Sequence, residues 1–251
     1  MLIFHATGDW SDSQIDIIQS ASTRKILPEV ERSIERIWQA VAAQKGVNLF
    51  DGPMCRLEKW IARPERLQLT LSETSYKPFL GTNLHQPHLA DQYGKDILAN
   101  PVGVSPALET ADGWLMMGRR NASVAYYPDK VHPFAGALEP QDSQDVIGGV
   151  RRELAEELGL IATDMKLIRC IGIAEDASIR QPELIFRAET YRTKNEIEKS
   201  LDQAEHQSTW AIPAERDEIE SAIKNAKELT PIAVATLILY GKVRYGAKWF
   251  D

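Results

Sequence analysis

Apolar residues recur along this chain with two different periods, and the period separates helix from strand. Residues 2–6 form a short apolar run suited to a strand, which Thr7-Gly8-Asp9 is expected to end. Residues 28–45 predict a helix: Pro28 fits the first turn, Ile34, Ile37, Trp38 and Val41 form one stripe, and Gly46 is the expected stop. Residues 55–61 and 67–71 read as strands, the second alternating as Leu67, Leu69 and Leu71, and residues 88–98 read as a helix leading into Asn100-Pro101. From Pro101 the texture changes. Residues 102–108 and 114–118 are strand-like runs around Asp112-Gly113, the look of a β-hairpin. A loop rich in Tyr, Pro and Asp follows, and residues 144–158 are helical. Strands are expected at 168–173 and 184–188, separated by a long loop containing 175–180, and at 209–212. Helices over 213–227 and 231–245 end the pattern, the last carrying the stripe Ile232, Val234, Leu237 and Leu239, read as core or subunit interface. No internal repeat interrupts it. The change of texture places a boundary near residue 98, dividing a smaller α/β domain, 1–98, from residues 99–251.

Composition narrows the function classes. The 251 residues carry 36 Asp and Glu against 29 Lys and Arg, a formal net charge of −7, and nucleic acid as main partner needs the opposite balance. Two cysteines, Cys55 and Cys170, are too few for a disulfide framework or a Cys-rich zinc site. The sequence has no apolar run long enough to span a bilayer, and its first residues, MLIFHATGDW, lack the layout of a signal peptide. The expectation is a cytoplasmic protein with neither a membrane nor a nucleic-acid partner.

Candidate chemistry concentrates in one helix. Along 147–158, Ile147, Val150, Leu154 and Leu158 make a stripe that can pack on a sheet, while Glu153, Glu156 and Glu157 share a neighbouring face. Gly159 can supply a left-handed C-cap. Three carboxylates at that spacing repel one another, yet clustered hard oxygens are what Mg²⁺ or Mn²⁺ prefers. A solvated face laced with Arg–Glu pairs is the plain alternative. The loop before the helix, Phe134-Ala135-Gly136-Ala137-Leu138-Glu139-Pro140-Gln141-Asp142, adds acids and suggests a pocket between sheet and helix.

Residues 136–160 resemble the Nudix box, Gly-x5-Glu-x7-Arg-Glu-U-x-Glu-Glu-x-Gly-U, with U aliphatic. Arg152, Glu153, Leu154, Glu156, Glu157, Gly159 and Leu160 match its second half, and Gly136 matches its opening glycine. The first half departs: Asp142 stands at the Glu position, and nine residues instead of seven precede Arg152. Further stretches, 98–104, 118–125, 206–209, Asn48 to Pro53 and Phe79 to Asn83, look like the UDP-glucose pyrophosphatase branch of that superfamily.

The resemblance implies a Nudix fold, a mixed β-sheet between helices, in an α/β (α+β) protein. It implies metal-dependent hydrolysis of a nucleotide-sugar diphosphate, with other nucleoside diphosphate derivatives and a non-catalytic nucleotide-binding regulator as alternatives. It assigns Glu153, Glu156 and Glu157 as ligands of Mg²⁺ (Mn²⁺ also suits), with the Gly136 carbonyl, and Arg152 as the residue orienting Glu153 or Glu156. Glu139 is either a ligand or a loop cap, and Asp142 is expected to cap the loop or the helix. Arg119 and Arg120 follow a strand and face opposite ways, so one of them can grip phosphate, Arg120 being favoured. Tyr126 and Tyr127 either stack on base or sugar or pack the loop. Glu205 and His206 occupy a late loop where Nudix enzymes often carry a further acid, His206 being read as structural.

Overall fold

The computed structural model describes residues 2–45, 49–124, 126–204 and 206–250. The expected stop at Gly46, Asn48 of the outer motif, Ala125 and Glu205 lie outside the described residues. The first part comprises strands β1 (Leu2–Trp10) and β2 (Ile15–Gln19), helix α1 (Pro28–Ala42), strands β3 (Pro53–Arg63) and β4 (Arg66–Ser75), and short helices α2 (Tyr76–Phe79) and α3 (Leu89–Tyr93). A hairpin follows, β5 (Gly103–Glu109) and β6 (Trp114–Arg120), with the two-residue strands β7 (Val131–His132) and β8 (Gly136–Ala137). Helix α4 (Val146–Leu158), strands β9 (Met165–Asp176) and β10 (Gln181–Thr190), and helix α5 (Lys194–Ser200) come next. Strand β11 (His206–Pro213) and helices α6 (Arg216–Lys224) and α7 (Pro231–Tyr245) complete the chain.

The larger sheet has the order β1-β9-β10-β5-β6-β11, with β7 beside β6 and β8 beside β5. It is mixed: β10 runs parallel to β5, and its other pairings are antiparallel. The apolar stripe of α4 covers one face, where Ile147, Val150, Leu154 and Leu158 meet Val104, Leu108 and Phe186. Helix α7 covers the other, with Ile232, Leu237, Leu239 and Tyr240 against Ala107, Leu115 and Ile185. Both helices are amphipathic only as far as a sheet face demands, and burial of these side chains holds the layers together. The separate sheet β2-β4-β3 joins the α4 core through Leu67, Leu69 and Leu71. Among the described residues no helix is long and apolar enough to cross a membrane.

The mixed sheet between helices, the hairpin β5–β6 and the bounds of α7 agree with the pattern in the sequence. Several expectations change. His206, expected in a late loop, opens strand β11, and α5 is a helix the pattern did not mark. Strand β1 does not end at Thr7-Gly8-Asp9 but continues to Trp10, bulging between Thr7 and Trp10, and pairs with β9. It therefore lies in the larger sheet, across the sequence division at residue 98. The helix over 88–98 is two short turns: α3 stops at Gly94, whose φ of +88° suits glycine, and a 3-10 turn follows at Lys95–Ile97. The loop containing 175–180 shrinks to residues 177–180, because Glu175 and Asp176 belong to β9 and are buried in it. The helix over 213–227 starts later, at Arg216, and ends in a 3-10 turn, Ala226–Glu228.

Candidate active site

Helix α4 is fixed at both ends by local chemistry. Asp145 caps it, accepting the Gly148 N–H at 2.7 Å, and Gly159 closes it in the left-handed region at φ +64°. Its apolar stripe is pinned to the sheet, so the helical turn carries Arg152, Glu153, Glu156 and Glu157 toward the open side. Glu153 and Glu157 are buried and Glu156 is exposed.

Arg152 gathers the acids around itself. Its guanidinium stands 2.9 Å from Asp142 Oδ2, 2.9 Å from Glu153 Oε1 and 3.2 Å from Glu156 Oε2, and donates to the Ala137 carbonyl at 3.1 Å. Glu139 Oε1 is 3.9 Å away. Burial opposes the Arg152 charge, but the Asp142 hydrogen bond and the charges of Glu153, Asp142 and Glu139 outweigh it, so its pKa is raised above the ordinary arginine value. The cation offsets the repulsion among the carboxylates. Of the two roles open to it Asp142 takes the loop, where Oδ2 also accepts the Glu139 N–H at 3.2 Å, while the helix is capped by Asp145. Farther along the helix, Glu157 Oε2 lies 3.3 Å from Nε2 of His206, a histidine buried at the start of β11 against the Phe134 ring.

One cavity opens at this cluster and a second adjoins it. The first, of about 320 Å³, is lined by Phe50, Met54, Gly136, Glu139, Arg152, Glu153 and Glu156, among others. The second, of about 280 Å³, is lined by Tyr76, Phe79, Arg120, Tyr126, His132, Gln181 and Glu183, and shares Met54 and residues 135–137 with the first. Residues before 99 thus supply one wall of each cavity.

Arg119 and Arg120 do separate to opposite faces. Arg120 is buried, lies over the Tyr126 ring at 4.8 Å and lines the second cavity. Arg119 donates instead to the Asp129 carbonyl at 3.0 Å and to Glu228 at 2.7 Å. The Tyr127 hydroxyl donates to Asp176 and packs beside Ser178, while the Tyr126 ring reaches the cavity. The segment Phe79 to Asn83 works as a brace: Asn83 donates to the carbonyls of Ile179 and Arg180 and accepts the Asn100 N–H.

Tyr76, Phe79, His132, Gln181 and Glu183 were not singled out in the sequence. Each stands outside the box, and only Phe79 carried a signal, as the first residue of an outer motif. His132 Nδ1 sits 2.8 Å from Thr230 Oγ1. Burial first, then the charges of Arg120 and His206, push its pKa well below the ordinary histidine value, so it is neutral.

Among the described residues no three His, Cys, Asp or Glu side chains are gathered tightly enough to form an ion site as they stand. The donor chemistry nevertheless fits a hard divalent cation. Glu153, Glu156 and Glu157, with Asp202, line a third hollow of about 150 Å³, and the bare Cα of Gly136 lets the Glu153 carboxylate lie against the backbone.

No family model matches the chain. Over 265 residues it is 31% identical to the uridine diphosphate glucose pyrophosphatase NUDT22 of Homo sapiens, a match covering 90% of this chain and 86% of that protein. With the protein of the same name from Mus musculus it shares 28% identity over 278 residues, covering 96% and 90% of the two chains. Among solved structures, a Nudix hydrolase from Nitrosomonas europaea aligns at 21% identity with a TM-score of 0.39, over 57% of this chain and 89% of that one.

Proposed function

This chain belongs to the Nudix hydrolase family that includes the uridine diphosphate glucose pyrophosphatases NUDT22, and from that premise we propose that it hydrolyses the diphosphate bond of UDP-glucose or UDP-galactose. The products are UMP and the sugar 1-phosphate. The observation that carries the reading is the placement of Arg152, Glu153 and Glu156 in the wall of one cavity that adjoins a second across Met54 and residues 135–137. A diphosphate laid across that point leaves one cavity for each of its substituents.

In this reading residues 99–251 make the catalytic Nudix domain, with β1 added to its sheet, and the remainder of residues 1–98 forms an N-terminal unit that walls the substrate in with Phe50, Met54, Tyr76 and Phe79. Glu153, Glu156 and Glu157 would hold a divalent cation, Mg²⁺ or Mn²⁺, with the Gly136 carbonyl and Glu139 as further oxygens. Bound there, the cation would neutralise phosphate oxygens and lower the pKa of a water. Arg152 holds Glu153 and Glu156 in orientation, and His206 does the same for Glu157. One of the three helix glutamates takes the proton from the water that attacks phosphorus as the anhydride P–O bond breaks. Of the arginine pair, Arg120 is the one assigned to the substrate.

The test is phosphatase-coupled hydrolysis across UDP-glucose, UDP-galactose, ADP-ribose and a dinucleotide, with and without Mg²⁺. Metal-dependent turnover of the UDP-hexoses, abolished in Glu157→Gln, is the expected result. Turnover of ADP-ribose or the dinucleotide alone would keep the reaction and overturn the substrate. Silence with a folded, Mg²⁺-binding protein would point to a nucleotide-binding regulator.

A further inference from the structure

The cavity around Arg120 is furnished unlike a phosphate site. Its lining combines the rings of Tyr76, Phe79 and Tyr126 with the buried polar groups of His132, Gln181 and Glu183. The three rings form a chain of edge contacts, 6.2 Å from Tyr76 to Phe79 and 6.5 Å from Phe79 to Tyr126. Arg120, the cation among its lining residues, is already stacked on Tyr126, and His132 is neutral. A group carrying phosphate charge would find one positive side chain here and several neutral ones.

Glu183 is the unusual member. It pairs across the sheet with Gly103, and a Cβ at Gly103 would lie 2.1 Å from Glu183 Oε2, so the missing side chain is what gives the carboxyl its space. Ser105 Oγ donates to the same oxygen at 3.0 Å. Burial pushes the Glu183 carboxyl up to about 8. The charges of Asp176 on β9 and Glu153 on α4 add to that shift, while the Ser105 hydrogen bond and Arg120 on β6 oppose it. Burial thus favours the neutral acid, and a carboxylic acid, unlike a carboxylate, can donate a hydrogen bond.

Resting on the nucleoside-diphosphate reading above, we propose that this cavity is the nucleobase subsite and that Gln181 and Glu183 read the carbonyl–imide edge of a pyrimidine dione. The chemistry matches group by group. A flat heterocycle offers its face or edge to the aromatic wall. The Gln181 amide can accept from an imide N–H and donate to the adjacent carbonyl, and the Glu183 acid donates to a carbonyl oxygen. Cytosine presents an amino donor where uracil presents a carbonyl, so a donor at Glu183 meets a donor and selects against it. Buried polar groups left unpaired by the wrong ligand are a strong source of discrimination.

The experiment titrates the full chain calorimetrically with UMP, CMP and glucose 1-phosphate, comparing wild type, Glu183→Gln and Glu183→Ala, with thermal melts on each. Wild type is expected to bind UMP at least about tenfold more tightly than CMP. Glu183→Ala is expected to bind UMP about 10- to 100-fold more weakly and to lose the preference. Glu183→Gln keeps the shape and an N–H donor, so its UMP affinity should stay within about threefold of wild type. In turnover of UDP-glucose, Glu183→Ala should raise KM with little change in kcat, because a base contact is made equally in ground and transition states.

A Glu183→Ala protein that melts normally and keeps its UMP preference overturns the proposal. So does one whose affinity for glucose 1-phosphate falls in place of that for UMP, which would make this the hexose pocket. If UDP-glucose is not hydrolysed but UMP preference depends on Glu183, the proposed reaction falls and the subsite stands. If hydrolysis proceeds and neither variant alters base preference, the subsite alone falls.

Discussion

Gly136 and Glu153 fill one volume: a Cβ at Gly136 would lie 2.1 Å from Glu153 Oε1. The opening glycine of the box and its first helix glutamate are thus a single packing unit, although they stand seventeen positions apart in the numbering. The glycine is required by close approach and not by a turn.

Gly136→Ala tests this unit. The atom displaced is the end of a side chain, so the protein should fold with a melting temperature near wild type. The carboxylate must move, however, and displacement of a catalytic group by about 1 Å can cost about 10²-fold in rate. Steady-state kinetics beside a thermal melt should show kcat lowered by about that factor; unchanged kcat would dissolve the link between packing and catalysis.

Arg152→Lys keeps the charge and loses the planar fork that reaches Asp142, Glu153 and the Ala137 carbonyl together. Loss of a group that orients metal ligands typically costs about 10- to 100-fold in metal affinity or activity. Mn²⁺ titration followed by electron paramagnetic resonance should show weakened binding in that range, with the fold retained by circular dichroism.

Arg120→Ala and Arg119→Ala should part company. Arg120 lines the cavity, and its loss is expected to raise KM for UDP-glucose by about tenfold, the worth of one charge-assisted contact. Arg119 is engaged by Glu228 and the Asp129 carbonyl on the opposite face, so its KM should change by less than about twofold. Equal effects in the two variants would contradict the assignment.

Glu175 supplies a stability prediction with a definite sign. Burial works to raise its pKa, but hydrogen bonds from His5 and Lys95, each at 2.8 Å, and the Lys95 charge bring it down to about 2. An unfolded glutamate titrates near ~4.3. The folded value is the lower one, so the stabilisation is fully present above the unfolded value and is lost as pH falls through about 2. Glu175→Gln should therefore melt below wild type at neutral pH, and the two curves should converge toward about pH 2. Calorimetry across the acid range reads this directly, and a constant offset at all pH values would remove the ion pair as its cause.

The hydrophobic pattern located much of this architecture because the relevant forces are local. The box helix was legible through a stripe and an acidic face, both set by the 3.6-residue turn, and helix α7 through Pro231 and its apolar run. Polar residues buried in strands were not legible. Glu175, Asp176, Gln181 and Glu183 read as loop or as the margin of a strand, since hydropathy counts a buried carboxyl as exposed. Glu175, Asp176 and Glu183 are met there by His5, Lys95, Tyr127 and Ser105, partners far away in the chain.

The sequence by itself determined the carboxylate-bearing helix, its glycine C-cap, the longer strands and helices of the second part other than α5, and the resemblance carried by 136–160. Each depends on residues within one or two turns of one another, where spacing fixes geometry. Only the tertiary structure decided that β1 joins the far edge of the larger sheet, that Tyr76 and Phe79 wall a cavity beside Arg120, and that Glu183 is buried over Gly103. Those relations require segments distant in the chain to pack together, and the depth of burial that gives a carboxyl its proton or a histidine its neutrality exists only once they have done so.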